Sequence, residues 1–527
     1  MTLLTAAPVP VPATAPKPAA APPRRRALLD AGWMPLVFGL ASALLTWYVW
    51  GSLRQHPFIA DEAAYVLQSK IFAQGRWTAP APPFAEFFEQ SYVLLRPAIA
   101  AKYPPGHALL LAIGTVLGLP GLMPVLLAGL AGALVFALAR KAGGPFVAVL
   151  TWLVWASTID VVRYHATYLS EVTTGALWLL AWWGLLRWKE GSASWLVVVA
   201  AALAWSAITR PLTGVALAIP VLFVVARQIH ARRTWRELGA PVLVGVAILA
   251  LVPVWSQRTT GNWRLTPLMA YTQAYMPSDV PGFGLSTQLA QVRLPPDQDE
   301  IEQIYRIHRA RHTVESLPTT LLQRLAELEM HYCGSGWRLV LLPFAILGVF
   351  ALTGTGWFAL SGAAVLLLVY LSYAHPAFWT LYYLEINPVL AFVTATGLWQ
   401  VMRRLRVVPA PALALGASIL LCLGLARTSY RVHQTLGRLR RPQVALDAAA
   451  RALPARRSII FVRYGPGHYP HLSLIRNEPF LAESRTWFVY DRGSDNARLI
   501  SAAPDRIPYL ADEASEKFIP LKPDGLP

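Results

Sequence analysis

Of 527 residues, 55% are hydrophobic and only 14% are charged, where a soluble domain carries roughly a quarter. The formal charge of +18 could point to nucleic acid. Its basic clusters, however, lie beside long apolar runs, which reads as membrane topology and attraction to anionic headgroups, so no nucleic-acid partner is expected. Two cysteines, Cys333 in a polar segment and Cys422 in an apolar run, exclude a disulfide framework and any cysteine metal spacing. Cys422 is expected to act as a small buried hydrophobe.

Residues 1–26 read as a disordered cytoplasmic tail, Pro/Ala-rich over its first 23 positions and ending on Arg24, Arg25 and Arg26. The following run, Ala31 to Leu53, lacks a small-residue cleavage site and reads as an anchor. A crossing needs about 20 mostly apolar residues. Uncharged runs near 31–53, 121–139, 144–160, 169–186, 193–209, 211–226, 238–257, 338–353, 356–374, 384–402 and 408–426 predict about eleven spans in a transmembrane unit 27–427. The charge-free stretch 339–374 must fold as two helices, turned at Gly354-Thr355-Gly356.

The segment 104–119 is apolar but short, bracketed by Pro104-Pro105 and Pro120. If it does not cross, Arg24–Arg26, Arg140-Lys141, Arg187/Lys189, Arg227/Arg232/Arg233/Arg236 and Arg403/Arg404/Arg406 all fall on the cytoplasmic side, as positive-inside counting requires. It therefore reads as an interfacial or re-entrant helix. The large loops 54–120 and 258–337 and a tail 428–527 then lie outside. Strand-like runs at 458–462 and 486–490 and a helical run at 442–453 give that tail the look of a small α/β domain.

The outer segments hold the candidate chemistry. His56-Pro-Phe-Ile-Ala-Asp61-Glu62-Ala-Ala-Tyr65 opens a helix predicted over 61–74 and closed by Gly75, with Asp61 and Tyr65 on one face. The acidic pair either complements the positive end of that helix or supplies a general base at a membrane cavity. In Lys102-Tyr103-Pro104-Pro105-Gly106 the prolines fix a turn. Lys102 there either snorkels or binds a lipid phosphate. Glu171 either pairs with Arg163 or His165 or faces a cavity, and Glu385 either complements a helix dipole or does the same. His165 and His331 lack a second ligand at helical spacing, so no metal site is assigned. Tyr271 and Tyr275 either pack within their loop or stack on a sugar.

These motifs together resemble the GT-C class of membrane glycosyltransferases, in the branch of protein O-mannosyltransferases and lipid A aminoarabinose transferases. The elements carrying the resemblance are the acidic pair with its tyrosine, the Tyr-Pro-Pro-Gly turn, Tyr168-Leu-Ser-Glu171, Thr209-Arg210-Pro211 and Leu381-Tyr382-Tyr383-Leu384-Glu385-Ile-Asn-Pro388. The resemblance implies a GT-C fold in a bacterial inner membrane, with its active site facing the periplasm. It implies transfer of a hexosyl or pentosyl unit from a polyprenyl-phosphate donor to a lipid, glycan or protein hydroxyl, with inversion. Asp61 and Glu62 would be the catalytic carboxylates, Asp61 accepting the acceptor's proton, while Tyr65, Lys102, Tyr103, Arg163, Glu171, Arg210 and Tyr383 would bind donor phosphate and sugar. No cofactor is required by this reading, although a divalent cation is compatible with it. This chain has Ala64 and Thr380-Leu381 where relatives often carry arginine, which shifts phosphate recognition onto Lys102 with Arg210 or Arg163. The alternative is a membrane transporter or lipid-linked sugar flippase, which predicts inverted repeats and broken helices at the midplane.

Overall fold

The computed structural model describes residues 28–525 except 286, 335, 406, 455, 516 and 523. The expected tail 1–26 and its arginines lie outside the described residues. Helix forms on every apolar run. The described chain begins with α1 (Met34–Trp50), α2 (Ala60–Ala73) and α3 (Pro105–Val116). Then follow α4 (Leu122–Gly143), α5 (Pro145–Ala156), α6 (Ile159–His165), α7 (Glu171–Lys189), α8 (Trp195–Ala207) and α9 (Pro211–Arg232). The run at 238–257 forms α10 (Gly239–Leu249) and α11 (Leu251–Thr260). The long loop holds α12 (Pro267–Ala274), α13 (Pro296–Arg311) and α14 (Leu317–Tyr332). The charge-free stretch splits into α15 (Leu342–Val349) and α16 (Gly354–Tyr370), followed by α17 (Asn387–Arg404) and α18 (Ala410–Ala452).

Many of these helices begin with proline at the first or second position, where the missing N–H costs nothing and the fixed φ is already helical. Among the described residues, four helical stretches can cross a membrane alone by length and composition, or six if each bent pair counts as one span. At about 1.5 Å per residue, the 12 residues of α3 span roughly 18 Å, less than the ~30 Å hydrocarbon core. The run at 144–160 bends by 68° between α5 and α6. Where α15 meets α17, a Cβ on Gly348 or Gly397 would collide with the facing backbone, so only glycine permits this approach.

Cys333 is buried and Cys422 is exposed, both as free thiols. That reverses the expectation for Cys422. An apolar run in a membrane helix can present its small residues outward, because lipid is as apolar as the core.

After α2 the chain forms a small antiparallel sheet, ordered β1-β3-β2, from β1 (Ala79–Pro80), β2 (Val93–Leu94) and β3 (Ala98–Ala101). Helix α18 runs unbroken for 43 residues through position 428. Beyond it, β4 (Ser458–Arg463), β5 (Thr486–Tyr490), α19 (Asn496–Ala502), β6 (Ile507–Asp512) and β7 (Lys517–Pro520) follow. The sheet order is β5-β4-β6-β7, with β4 parallel to both neighbours and β7 antiparallel to β6. Period-two alternation divides its faces. Ile459 and Phe461 join a core with α2, the small sheet, Tyr271 and Tyr305. Ile460 and Val462 instead pack with Leu446 and Ala450 of α18.

Candidate active site

The start of α2 separates its two acids. The helix is capped by Ile59 without a side-chain hydrogen bond. Glu62 reaches back to accept the Phe58 N–H at 2.8 Å and takes the Tyr168 N–H at 3.2 Å. That is close to the capping-box geometry, in which an acid in the first turn satisfies an orphan donor. Glu62 is fully buried, and burial pushes its carboxyl up to about 7 against the pull of Arg440. Asp61, one residue earlier, points elsewhere: it is partly exposed and its Oδ1 accepts from the Tyr103 hydroxyl at 2.5 Å. Burial first, and the Asp61 charge second, hold the Tyr103 phenol well above its usual range, so it remains a donor to the carboxylate at neutral pH.

Tyr103 stacks on Tyr65 with ring centroids 4.5 Å apart, and the Tyr65 hydroxyl donates to Ser170 Oγ at 3.0 Å. The helical spacing of Asp61 and Tyr65 thus brings both onto the Tyr-Pro-Pro-Gly turn. That turn is itself pinned to the chain just before Thr209-Arg210-Pro211: the Gly106 N–H donates to Ile208 O at 2.9 Å, and the Trp205 indole donates to Gly106 O at 3.0 Å. A Cβ on Gly106 would sit 2.9 Å from Ile208 O, so the close approach requires glycine. His107 extends the lock, its ring nitrogens 2.8 Å from Thr173 Oγ1 and 2.8 Å from Tyr168 O.

Two buried cations belong to the same cluster. Lys102, 3% exposed, pairs with Asp279 Oδ2 at 2.7 Å, and its ammonium lies 4.2 Å from the Tyr92 ring centre and 5.3 Å from that of Tyr103. The second oxygen of Asp279 accepts from Tyr373 Oη at 2.5 Å. Arg210 pairs with Glu171, donates to Tyr370 Oη at 3.1 Å and lies 5.2 Å from the Tyr382 ring centre. Glu385 accepts from Thr174 Oγ1 at 2.5 Å. Glu171 Oε2 and Glu385 Oε2 are both buried without a hydrogen-bond partner.

Of the sequence candidates, Asp61, Tyr65, Lys102, Tyr103, Glu171 and Arg210 therefore come together. Three others do not join them. Glu62 is spent on backbone donors. Tyr383 turns to His375 at 3.0 Å, and its neighbour Tyr382 faces Arg210 instead. Arg163 lies with its guanidinium 5.4 Å from the Tyr164 ring centre, and Glu171 pairs with Arg210 rather than with Arg163 or His165. His331 bonds Asp160 at 2.9 Å, and no group of three or more metal-type ligands occurs among the described residues.

Asp279, Tyr370, Tyr373 and Tyr382 had no assigned role. Asp279 was visible only as an acid in a Pro-Ser-Asp loop, 177 positions from Lys102. Tyr271, also from that loop, accepts the Tyr92 N–H at 2.9 Å and stacks on Tyr275.

No family model matches the sequence, and no curated protein matches it. Among solved structures the fold is similar to that of ArnT from Cupriavidus metallidurans bound to undecaprenyl phosphate. That likeness has a TM-score of 0.55 at 17% identity, covering 92% of this chain and 91% of that one. The apo ArnT structure matches at TM-score 0.53 and 16% identity, over 85% of each chain. The chain thus shares the fold of those ArnT structures, and it is a helical membrane protein.

Proposed function

We propose that this protein is an inverting glycosyltransferase that moves a hexosyl or pentosyl unit from a polyprenyl-phosphate donor onto an acceptor hydroxyl at the outer face of a bacterial inner membrane. The observation that carries this reading is the division of labour at α2: Glu62 satisfies the backbone, which leaves the Asp61 carboxylate partly open on the Tyr103 hydroxyl, in a cluster that also holds the buried cations Lys102 and Arg210.

In the reaction, an acceptor hydroxyl on a lipid, glycan or protein attacks the anomeric carbon while Asp61 accepts its proton. The new bond to the acceptor oxygen forms as the bond from the anomeric carbon to the phosphate oxygen breaks. The electron pair leaves with the polyprenyl phosphate. A single displacement inverts the anomeric centre. Lys102 and Arg210 stabilise the charge growing on the phosphate, a term that is usually the largest in such catalysis. Each enters that role from an ion pair, with Asp279 or Glu171, so donor binding competes with carboxylates for the same cations. ArnT, in a structure bound to undecaprenyl phosphate, supports a lipid-phosphate donor.

The test is an in vitro assay of purified protein with a panel of undecaprenyl-phosphate sugars and the matching nucleotide sugars. Turnover with a lipid-linked sugar alone is expected. Turnover with nucleotide sugars alone would sink the proposal, and movement of the intact donor across vesicles with no new glycosidic bond would favour the flippase alternative.

A further inference from the structure

The Asp279 carboxylate that holds Lys102 sits on a loop, and a loop fixes a side chain poorly unless a rigid element grips it. Helix α13 supplies that grip. Gln298, Glu302, Tyr305 and Arg309 are all buried along it, and spacings of four, three and four residues place them on one face. Asp299, Glu300 and Gln303 between them are exposed. The buried stripe is mostly polar, which is costly unless its groups find partners.

Those partners converge on the Asp279 loop. Glu302, 8% exposed, accepts the Ser278 N–H at 3.3 Å, immediately before Asp279. Its other oxygen has no hydrogen-bond partner among the described residues, so the Ser278 amide is the group that Glu302 serves. Arg309 takes the loop beyond Asp279, donating to Val280 O at 2.5 Å and to Gly284 O at 2.7 Å. Tyr305 shares a core with Met276 and Tyr271. Toward the start of the helix, Gln298 donates to Glu89 O at 2.8 Å. Asp297 there accepts from the hydroxyl of Tyr490, the last residue of β5, at 2.7 Å. From Asp297 to Arg309 the helix thus reaches roughly 18 Å, from the C-terminal sheet to the Asp279 loop.

We infer that Glu302 is a positioning residue of the donor-phosphate site: by holding the Ser278 amide it sets the Asp279 carboxylate on Lys102, and α13 ties that setting to the C-terminal sheet. The inference rests on the reading of Lys102 as a cation that stabilises the departing phosphate. An ammonium aimed by a fixed carboxylate is preorganised for charge that grows in the transition state. A loosely held ammonium binds the ground-state phosphate as well but meets the transition state less well. Loss of Glu302 therefore belongs in kcat more than in KM.

Competitive acetylation of Lys102 in the full chain, read by mass spectrometry, tests the setting without turnover. Glu302→Met should raise Lys102 labelling about tenfold, the scale of a hydrogen bond to a charged group. Glu302→Gln keeps a carbonyl acceptor for the Ser278 amide and should restore the unmodified level. Asp279→Asn should raise labelling by itself, and adding Glu302→Met should then change nothing further, because the two residues act in series. With a lipid-linked sugar, Glu302→Met should lower kcat about 10–100-fold, the scale of a misplaced catalytic group, and leave the donor KM nearly unchanged. Tyr490→Phe removes one hydroxyl and should shift labelling and kcat the same way by less, and it carries the test if Glu302→Met fails to fold. Unchanged Lys102 labelling in whichever of these two variants folds, or additive effects of Glu302→Met and Asp279→Asn, would overturn the inference. Failure of undecaprenyl phosphate to protect Lys102 in the unmodified protein would instead overturn the phosphate reading on which it rests.

Discussion

The segment from α2 to α3 and the four-stranded C-terminal sheet share a hydrophobic core, yet they bury opposite kinds of residue. In the α2–α3 segment Glu62, Gln68, Lys102 and His107 are all at most 3% exposed. In the sheet the fully buried positions are Ile459, Ile460, Phe461 and Val489, while Arg463 meets Asp491 from an exposed position. The sheet gains stability by removing apolar surface from water. The α2–α3 segment loses some of that gain to desolvated charge, which is strongly destabilising unless each group is paired. A region that retains such groups in paired, hydrogen-bonded form holds fixed charge ready for a reaction.

The sharpest way to break this contrast is Asp61→Asn. General-base catalysis is worth about 10²–10⁴-fold, so turnover should fall by that factor. Thermal unfolding should stay nearly unchanged, because Asp61 satisfies no helix donor. A folded variant with near-normal turnover would remove Asp61 from the mechanism.

Next in size is the buried pair. Lys102→Met should cost about 3–5 kcal/mol by leaving Asp279 unpaired and should raise the apparent KM for the donor. Adding Asp279→Asn should recover much of the stability but not the KM. Chemical denaturation and donor titration separate the two effects, and a full recovery of KM in the double variant would place the phosphate elsewhere.

Glu62 gives a signed pH dependence. Its carboxyl is raised from 4.5 in the unfolded chain to about 7 in the fold, so between those values the folded state binds the extra proton. Stability should therefore fall as pH rises from about 4.5 to 7, by about 3 kcal/mol at most. Glu62→Gln should flatten that slope, as followed by melting temperature across pH 5–7. A slope of unchanged size would assign it to other groups.

The smallest effect belongs to the sheet. Arg463→Gln should change stability by less than about 1 kcal/mol and leave transfer untouched, since half-exposed ion pairs contribute little. A larger loss would show that charge is as structural in the sheet as it is around α2.

Local pattern was readable where one stretch of chain decides its own conformation. Proline at the start of α3 and glycine after α2 mark helix ends, and uncharged length marks the apolar helices. The meeting of Asp61, Tyr65 and Tyr103 was partly readable too, because a four-residue spacing shares a helix face and the Tyr-Pro-Pro turn is a rigid local motif. Pairings between distant segments were not. Lys102 could be read as a snorkelling or phosphate-binding cation, but its partner lies in a loop with no periodicity of its own. In the late tyrosine pair, the backbone of Tyr383 departs from helical angles. That kink sends Tyr382 to Arg210 and Tyr383 to His375, and no local rule chooses between them.

Composition and periodicity by themselves determined that this is a membrane chain, where its helices lie, and which acids and cations stand beside turns. Those properties follow from how far apolar residues run and from backbone preferences within a few positions. Only the tertiary structure decided that Glu62 serves the backbone while Asp61 stays open, and that Lys102 and Arg210 are held by Asp279 and Glu171. It alone decided, too, that Cys422 faces outward. A side chain's role at such a site depends on which atoms from remote segments reach it, and packing of the whole bundle sets that.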